Sequence, residues 1–224
     1  MGTTTTPEFG LTGTTESLRF GATCNPWNPA FSTGGSSGGS SALVAAGVVP
    51  IAHANDGAGS IRIPASCCGL VGLKASRGRI KDKEVPGYLP ANILHDGVVT
   101  RSVRDTWAFH AEIEKNIPAK EYPAIGNISE SFPEKLKIAV LTENCLGEDS
   151  SAELVQATHD VAKLCNSLGH KIEMISNPFY RKFDEDFWLL WAHFGFLIRY
   201  SVGKELSKKF DHTQLEQWPK YLLS

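Results

Sequence analysis

The chain has 224 residues, enough for one large domain or two small ones with a sizeable core. Hydrophobic residues make up 42% and charged residues 21%, an ordinary globular composition that argues against wholesale disorder. The 22 Lys and Arg residues against 24 Asp and Glu residues give a net charge of −2 without a basic cluster, so nothing indicates a nucleic-acid partner.

Neither a membrane span nor a metal site is predicted. The longest apolar stretch, residues 42–52, is too short for a transmembrane helix, which needs about 20 residues. The five cysteines contain no Cys-x-x-Cys pair and no Cys/His spacing typical of zinc. Their odd number fits a reducing compartment, so we expect a cytoplasmic protein.

Most of the 21 glycines lie in the first 80 residues, among Ser, Thr, Asn and Pro. This composition is typical either of a flexible linker or of a site built from backbone. The Gly/Ser tract runs directly into an apolar segment, which disfavours the linker. Ser40 or Ser41 is predicted to cap a short helix over Ala42–Gly47, and Val48–His53 is predicted to be a buried strand.

Beyond residue 80 helical and strand patterns alternate. Helices are predicted over Val103–Lys115, Ser151–Leu168 and Phe187–Tyr200, and strands over Leu136–Thr142 and His170–Ser176. Strand–helix–strand order with helix-length crossovers predicts the α/β fold class.

Ser60 follows Gly57, Ala58 and Gly59, and small residues of this kind let backbone N–H groups approach a ligand closely. Acyl transfer needs such a turn, because a hydroxyl attacks the carbonyl while amides stabilise the oxyanion. From spacing alone, a nucleophile loop and a plain glycine-rich turn both stay open. The segment is not the G-x-S-x-G motif of α/β-hydrolases, and the earlier Gly/Ser tract is not a Walker A loop, because no Lys follows its glycines.

Three motifs carry a resemblance to a known family: PEFGLTGTTESLRFGATCNPWNP, then GGSSGGSS, then NDGAGSIRIPASCCGLVGLKASRGR. In wording, order and separation they resemble the amidase signature family, closely over Pro7–Ile80 and more loosely at LKIAVLTEN and its following helix. The resemblance implies a partial amidase domain over residues 1–224, with a mixed central sheet flanked by helices. Residues 1–80 are then the catalytic loop region and residues 81–224 a continuing α/β region.

The resemblance also implies roles for individual residues. Ser60 is then the nucleophile, and Ser36, which follows a cis peptide bond at Gly35–Ser36, relays protons between Ser60, the leaving amine and a lysine. The oxyanion hole is assigned to the amides of Gly57, Ala58, Gly59 and Ser60, and the supporting residues are Ser37, Asp56 and Arg62. For Asp56 and Arg62 a surface ion pair is the alternative. No metal or organic cofactor is implied.

The sequence departs from the family pattern at two points. Ala58 stands where the family usually has glycine, which strains the turn only if that residue needs a positive φ. The family's general base is a lysine far upstream of the Gly/Ser tract, yet the first lysine here is Lys74. We therefore expect that N- and C-terminal parts of the family domain are absent from this chain and that it hydrolyses amides poorly as it stands, because such catalytic groups act as a unit.

The activity implied is hydrolysis of carbon–nitrogen bonds in linear or cyclic amides, through a serine–cis-serine–lysine mechanism. Within the family the motifs look nearest to 6-aminohexanoate-cyclic-dimer hydrolases. The alternatives are a protein like the A subunit of the glutamyl-tRNA amidotransferase and a non-catalytic remnant that binds another protein. The expected partners are a small-molecule amide and either a second copy of the chain or a polypeptide that supplies the missing segments, without nucleic acid or membrane.

Other candidates receive plainer interpretations. A Ser–His–Asp triad is conceivable, but His53 is predicted to pack or to hydrogen-bond locally, and His95 is predicted to be a loop residue near the site. Cys67 and Cys68 are predicted to be core residues rather than a redox pair, because apolar neighbours raise a thiol's pKa.

Overall fold

The structure, a computed structural model, describes residues 2–80, 93–116, 122–126, 134–179, 182–205 and 216–217. The chain divides into two compact units. One consists of Met1–Ile128 with Phe194–Ser224, and the other of Ser129–His193. None of the described helices has the length and apolar composition that crossing a membrane requires.

The first unit begins with a 3-10 turn at Glu8–Gly10 and two small antiparallel hairpins. The hairpins are β1 (Glu16–Ser17) with β2 (Gly21–Ala22), and β3 (Cys24–Asn25) with β4 (Asn28–Ser32). The elements that follow are α1 (Gly38–Ala45), β5 (Ile51–Asn55), α2 (Arg62–Cys67), β6 (Val71–Gly72), β7 (Asp96–Thr100) and α3 (Val103–Asn116).

Strand β7 lies between β5 and β6 and is antiparallel to both. Side chains alternate between the two faces of such a sheet. One face carries Ala54 and Val99. They form the core with Val44 of α1, with Ile61, which precedes α2, and with Ala65 of α2. The other face packs against α3, where the hydroxyls of Thr100 and Thr106 are 2.8 Å apart.

The second unit is a parallel strand pair with a helical crossover. Strands β8 (Lys137–Val140) and β9 (Lys171–Met174) pair in register, and α4 (Ala152–Ser167) connects them. No residue of α4 is buried. Its apolar residues Leu154, Val161 and Leu164 are each about 60% exposed, so the helix presents an unpaired apolar stripe. The last described helix is α5 (Phe183–Glu205).

The predicted α/β class is confirmed, and the strongly periodic helices are close to their predicted bounds. Helix α1 begins at Gly38, four residues before the predicted start, and β5 is displaced to Ile51–Asn55. Gly47 ends the α1 turn with a φ of +75°, as its role after a helix predicts. Cys68 is buried as predicted, and burial together with the charge of the adjacent Cys67 raises the pKa of its thiol to about 11. Cys67 is exposed, which corrects its assignment to the core.

Two valines near the end of α1 give a matched test of this core. Val44 is 0% exposed and Val48 is 66% exposed. We expect Val44→Ala to lower the free energy of unfolding by about 2 kcal/mol, since it removes two buried methyl groups and leaves a cavity. Val48→Ala should change it by less than about 0.5 kcal/mol. Urea unfolding followed by circular dichroism measures both, and equal losses for the two variants would contradict a core centred on Val44.

Candidate active site

The turn between β5 and α2 is organised by one carboxylate. We call residues 56–62 the nucleophile loop. The side chain of Asp56 is fully buried, and it accepts the N–H groups of Gly59 at 2.7 Å, Ile61 at 3.2 Å and Arg62 at 3.4 Å. These bonds draw the later amides of the loop inward around a single anion, which fixes the path of the chain on either side of Ser60.

Arg62 completes the set by a two-point contact. Its Nε donates to Oδ2 of Asp56 at 2.9 Å, and its Nη2 donates to Oδ1 at 3.0 Å. Burial by itself raises the pKa of Asp56, but the hydrogen bonds from Arg62 and Gly59 and the positive charge of Arg62 outweigh it, so the pKa lies below its usual range. The pair is not the surface ion pair that was the alternative, because only the Arg62 side chain is exposed, at 54%.

The same bonds decide which amides are available to an oxyanion. The N–H of Gly59 is donated to Asp56, so its predicted place in the oxyanion hole is corrected. The N–H groups of Gly57, Ala58 and Ser60 have no acceptor among the described residues. These three amides are therefore the donors of the nucleophile loop that stay available to a ligand.

Ala58 is tolerated without backbone strain. Among the described residues Phe9 is the only non-glycine residue with a positive φ, so Ala58 has an ordinary negative φ. The positive φ of this turn, +126°, is at Gly59. A Cβ at Gly59 would also lie 2.7 Å from Cδ1 of Ile63. The turn therefore needs its glycine at 59 and accepts the methyl group at 58.

The Gly/Ser tract, residues 34–41, contains the cis peptide bond Gly35–Ser36, where the resemblance places it. Side chains are excluded there by neighbouring backbone. A Cβ at Gly35 would clash with the carbonyl oxygen of Thr14, and one at Gly39 would lie 2.5 Å from the amide nitrogen of Thr5. The glycines of this tract thus let the N-terminal segment lie directly on it.

Thr15 is a positioning residue that the sequence did not single out. It is 1% exposed, and its hydroxyl lies 3.0 Å from the carbonyl oxygen of Gly34 and 3.3 Å from that of Ser36, toward which it donates. The same hydroxyl accepts the N–H of Gly38 at 3.2 Å. One threonine among several in this segment gives no periodic pattern. Its position in the motif TGTTES was the sequence feature that pointed to its role.

Backbone and hydroxyl contacts join the two loops. The N–H of Ser37 donates to the carbonyl oxygen of Ser60 at 3.3 Å. The hydroxyl of Ser37 is bonded to both backbone groups of Asn55, accepting its N–H at 3.2 Å and donating to its carbonyl at 3.3 Å. These bonds hold Ser37, and with it the adjoining Ser36, against Ser60 at the carboxyl end of β5.

The hydroxyls of Ser36 and Ser60, the two serines predicted to be catalytic, are buried and have no hydrogen-bond partner among the described residues. Ser36 is 6% and Ser60 is 7% exposed. Within the described residues neither hydroxyl is hydrogen-bonded to another protein group, a lysine included. Gly10 lies close to the Ser36 hydroxyl, since a Cβ at Gly10 would be 3.4 Å from the Ser36 Oγ. Catalytic hydrogen bonds in a free enzyme are often long and tighten only with substrate.

None of the described histidines is hydrogen-bonded to Ser60, so they form no triad with it. His53 lies on the α3 face of the sheet, where its Nε2 is 3.2 Å from Oδ1 of Asp96, and in the described chain no hydrogen bond joins it to either serine. This confirms its predicted local hydrogen bonding. His95 is buried beside the site, and its backbone pairs with that of Asp56 in both directions, at 2.8 and 3.0 Å. In the parts of the chain that the structure covers, no three His, Cys, Asp or Glu side chains are grouped so as to hold a metal ion.

Asp56→Asn tests the carboxylate that organises the loop. We expect it to lower the free energy of unfolding at pH 7 by about 3 kcal/mol, because buried N–H groups and Arg62 lose a charged acceptor. The folded-state pKa of Asp56 lies below its ordinary 3.8, so its contribution is complete above that value and is lost as pH falls through the folded pKa. The wild type should thus lose more stability than the variant over this acidic range.

Asp160→Asn is the control, since Asp160 pairs with Lys163 on the surface of α4 at 3.2 Å. Its expected effect is at most about 0.5 kcal/mol. Unfolding curves in urea between neutral and acidic pH measure both variants. A parallel pH dependence in wild type and Asp56→Asn would contradict the role given to Asp56.

Comparison with known proteins agrees with this geometry. The Amidase family model matches residues 1–220. AmiC of Mycobacterium tuberculosis strain H37Rv, which carries the name amidase, is 44% identical over 218 residues. That match covers 97% of this chain and 46% of AmiC, so the chain spans about half the length of such relatives.

Solved structures agree as well. The structure of a 6-aminohexanoate cyclic dimer hydrolase complexed with substrate matches 100% of this chain and 48% of its own, with a TM-score of 0.85 and 33% identity. The A subunit of the glutamyl-tRNA(Gln) amidotransferase from Thermotoga maritima matches 80% of this chain and 40% of its own, with a TM-score of 0.63 and 28% identity. With nearly all of its residues matched by the family model, the chain belongs to the amidase family.

Proposed function

We propose that this chain carries the serine half of an amidase active site and that the whole protein hydrolyses carbon–nitrogen amide bonds through an acyl-enzyme. One observation carries the proposal. The carboxylate of Asp56 binds the amides of Gly59 and Ile61, and the amides of Gly57, Ala58 and Ser60 are left without acceptors among the described residues, beside a buried, uncommitted hydroxyl. A carbonyl oxygen that becomes negative in the transition state needs such donors.

In the proposed reaction the Oγ of Ser60 attacks the amide carbonyl carbon, and its proton passes to Ser36. The three free amides stabilise the tetrahedral oxyanion. When the carbon–nitrogen bond breaks, the leaving nitrogen takes a proton through Ser36 and departs as an amine, leaving an ester on Ser60. Water then attacks the ester, returns a proton to Ser60 and releases the carboxylic acid.

The relay needs a general base beyond the two serines. The resemblance assigns this role to a lysine upstream of the Gly/Ser tract, but residues 1–35 contain no lysine. We propose that the base comes from polypeptide outside these 224 residues, either continuous with the chain or in a partner. Without it, transfer of the Ser60 proton is slow, because nucleophile, relay and base act as a unit.

The proposed substrates are small linear or cyclic amides. A hydrolase of a cyclic amide dimer shares the fold at a TM-score of 0.85, against 0.63 for the amidotransferase protein, and this favours the hydrolase over the transamidation alternative. We propose a cytoplasmic location, which the five free thiols support because a reducing compartment keeps cysteines unpaired.

A fluorophosphonate probe tests the nucleophile and the missing base together. We expect the 224-residue chain to be labelled slowly, and a fusion that adds the part of AmiC outside the match to be labelled roughly a thousandfold faster. Peptide mass spectrometry should place the adduct on Ser60. Ser60→Ala should abolish labelling and Ser36→Ala should slow it, whereas Ser66→Ala, on the exposed side of α2, should leave the rate unchanged.

Rapid labelling of the chain by itself would contradict the need for an external base. An adduct on a residue other than Ser60 would overturn the nucleophile assignment. Labelling of the fusion that survives Ser60→Ala would do the same.

A further inference from the structure

Ile63 is an apolar side chain that α2 leaves accessible one helical turn after Ser60. Helix α2 buries Pro64 and Ala65, whereas Ile63 is 39% exposed. The N–H of Ile63 donates to the carbonyl oxygen of Gly59 at 2.7 Å, which closes a helical turn around Ser60. Residues that are three apart in such a turn lie on the same face, so Ile63 and Ser60 share one face.

Three glycines make room for the Ile63 side chain. A Cβ at Gly59 would lie 2.7 Å from its Cδ1, one at Gly34 would lie 3.0 Å from its Cγ2, and one at Gly13 would lie 3.8 Å from its Cδ1. These glycines belong to the nucleophile loop, to the Gly/Ser tract and to the N-terminal segment. Ile63 therefore lies where three segments of the site meet, and its β-branched side chain has few rotamers to choose from.

Cys67 extends the apolar surface along the helix. It is exposed, and a Cβ at Gly34 would lie 3.1 Å from its Sγ. A free cysteine behaves as a small hydrophobic group. At 3.6 residues per turn, Ser60, Ile63 and Cys67 lie within an arc of about 60° on the helix surface. Ser66 lies outside this arc. We call Ile63 and Cys67 the α2 strip, an apolar surface that follows directly on the predicted nucleophile.

The chemistry of the serines indicates which part of a substrate meets the α2 strip. In the proposed reaction the acyl carbon is bonded to the Oγ of Ser60 and stays on the turn that leads into α2. The leaving nitrogen instead takes its proton through Ser36, which lies in the other loop. The strip is therefore next to the acyl group during both halves of the reaction.

We propose that Ile63 is a specificity-determining residue, which selects amides whose acyl group is an aliphatic chain that packs on the α2 strip. This proposal rests on the serine mechanism of the preceding section. An acyl chain of several methylene groups removes more apolar surface from water at the strip than a single methyl group does. Ile63 thus favours the longer acyl group at the acylation step.

Two p-nitrophenyl esters, the acetate and the hexanoate, test this selection on the 224-residue chain. Each acylation of Ser60 releases one p-nitrophenol, whose absorbance gives the second-order rate constant. The constant of each ester is corrected for its uncatalysed hydrolysis and for the rate that remains in Ser60→Ala. We expect the hexanoate to react about tenfold faster than the acetate with the wild type, and only about twofold faster with Ile63→Ala.

Ile51→Ala is the matched control. Ile51 is 38% exposed, close to the exposure of Ile63, but it begins β5 and the nucleophile loop follows the other end of that strand. Its replacement should leave the ratio of the two rate constants unchanged. Ile63→Leu keeps the number of carbon atoms and should keep the ratio within about twofold of the wild type.

The ratio separates recognition of the acyl chain from support of the nucleophile loop. If Ile63 only supported the loop, Ile63→Ala would slow both esters equally and the ratio would not change. That result would overturn the proposal. A ratio near one in the wild type would overturn it as well, without recourse to any variant.

Methyl spectra separate the proposal from the serine chemistry. With ¹³C-labelled isoleucine δ1 methyl groups, the Ile63 signal is the one that disappears in Ile63→Leu. Hexanamide should shift this signal saturably, and acetamide should bind about tenfold more weakly. Absence of a shift, or equal binding of the two amides, contradicts the α2 strip. A selective shift without acylation of Ser60 by either ester supports the strip and contradicts the proposed mechanism.

Discussion

The buried carboxylate of Asp56 is the constraint on which the site depends. A buried anion is costly unless charged or N–H donors surround it. Here the donors are the guanidinium of Arg62 and the amides of Gly59 and Ile61, on either side of Ser60. Because those amides donate to the carboxylate, the amides of Gly57, Ala58 and Ser60 are left without an acceptor among the described residues. The single charge of Asp56 thereby divides the N–H groups of the loop into those that hold its shape and those that can bind a ligand.

A second constraint is that the Gly/Ser tract needs glycine where the N-terminal segment packs against it. The Gly/Ser tract lies so close to the N-terminal segment that backbone atoms of Thr5 and Thr14 occupy the space where side chains would stand at Gly39 and Gly35. Ser37 then ties the tract to the end of β5 and to the carbonyl of Ser60. The two serines that we propose as catalytic are thus positioned by backbone packing and by hydroxyl hydrogen bonds, and the apolar core holds α1, β5 and α2 in place.

The sequence predicted what depends on periodicity and on motif, and failed where packing decides. Helices α3 and α4 were close to their predicted bounds because their apolar spacing is strong. Helix α1 begins four residues earlier than predicted, since Gly38 and Gly39 are poor helix formers whose conformation is imposed by Thr5 and Thr15. The loss of the Gly59 amide to Asp56 also escaped prediction, because residue types alone do not reveal which N–H groups a carboxylate binds.

Helix α4 has a practical consequence for work in solution. Its leucine and valine side chains face solvent along one stripe, in a unit whose described sheet has two strands. Contiguous apolar surface of this kind promotes self-association that increases with concentration. Dilute samples, and sedimentation runs at several loadings, are accordingly the proper starting point for any biophysical study of this polypeptide.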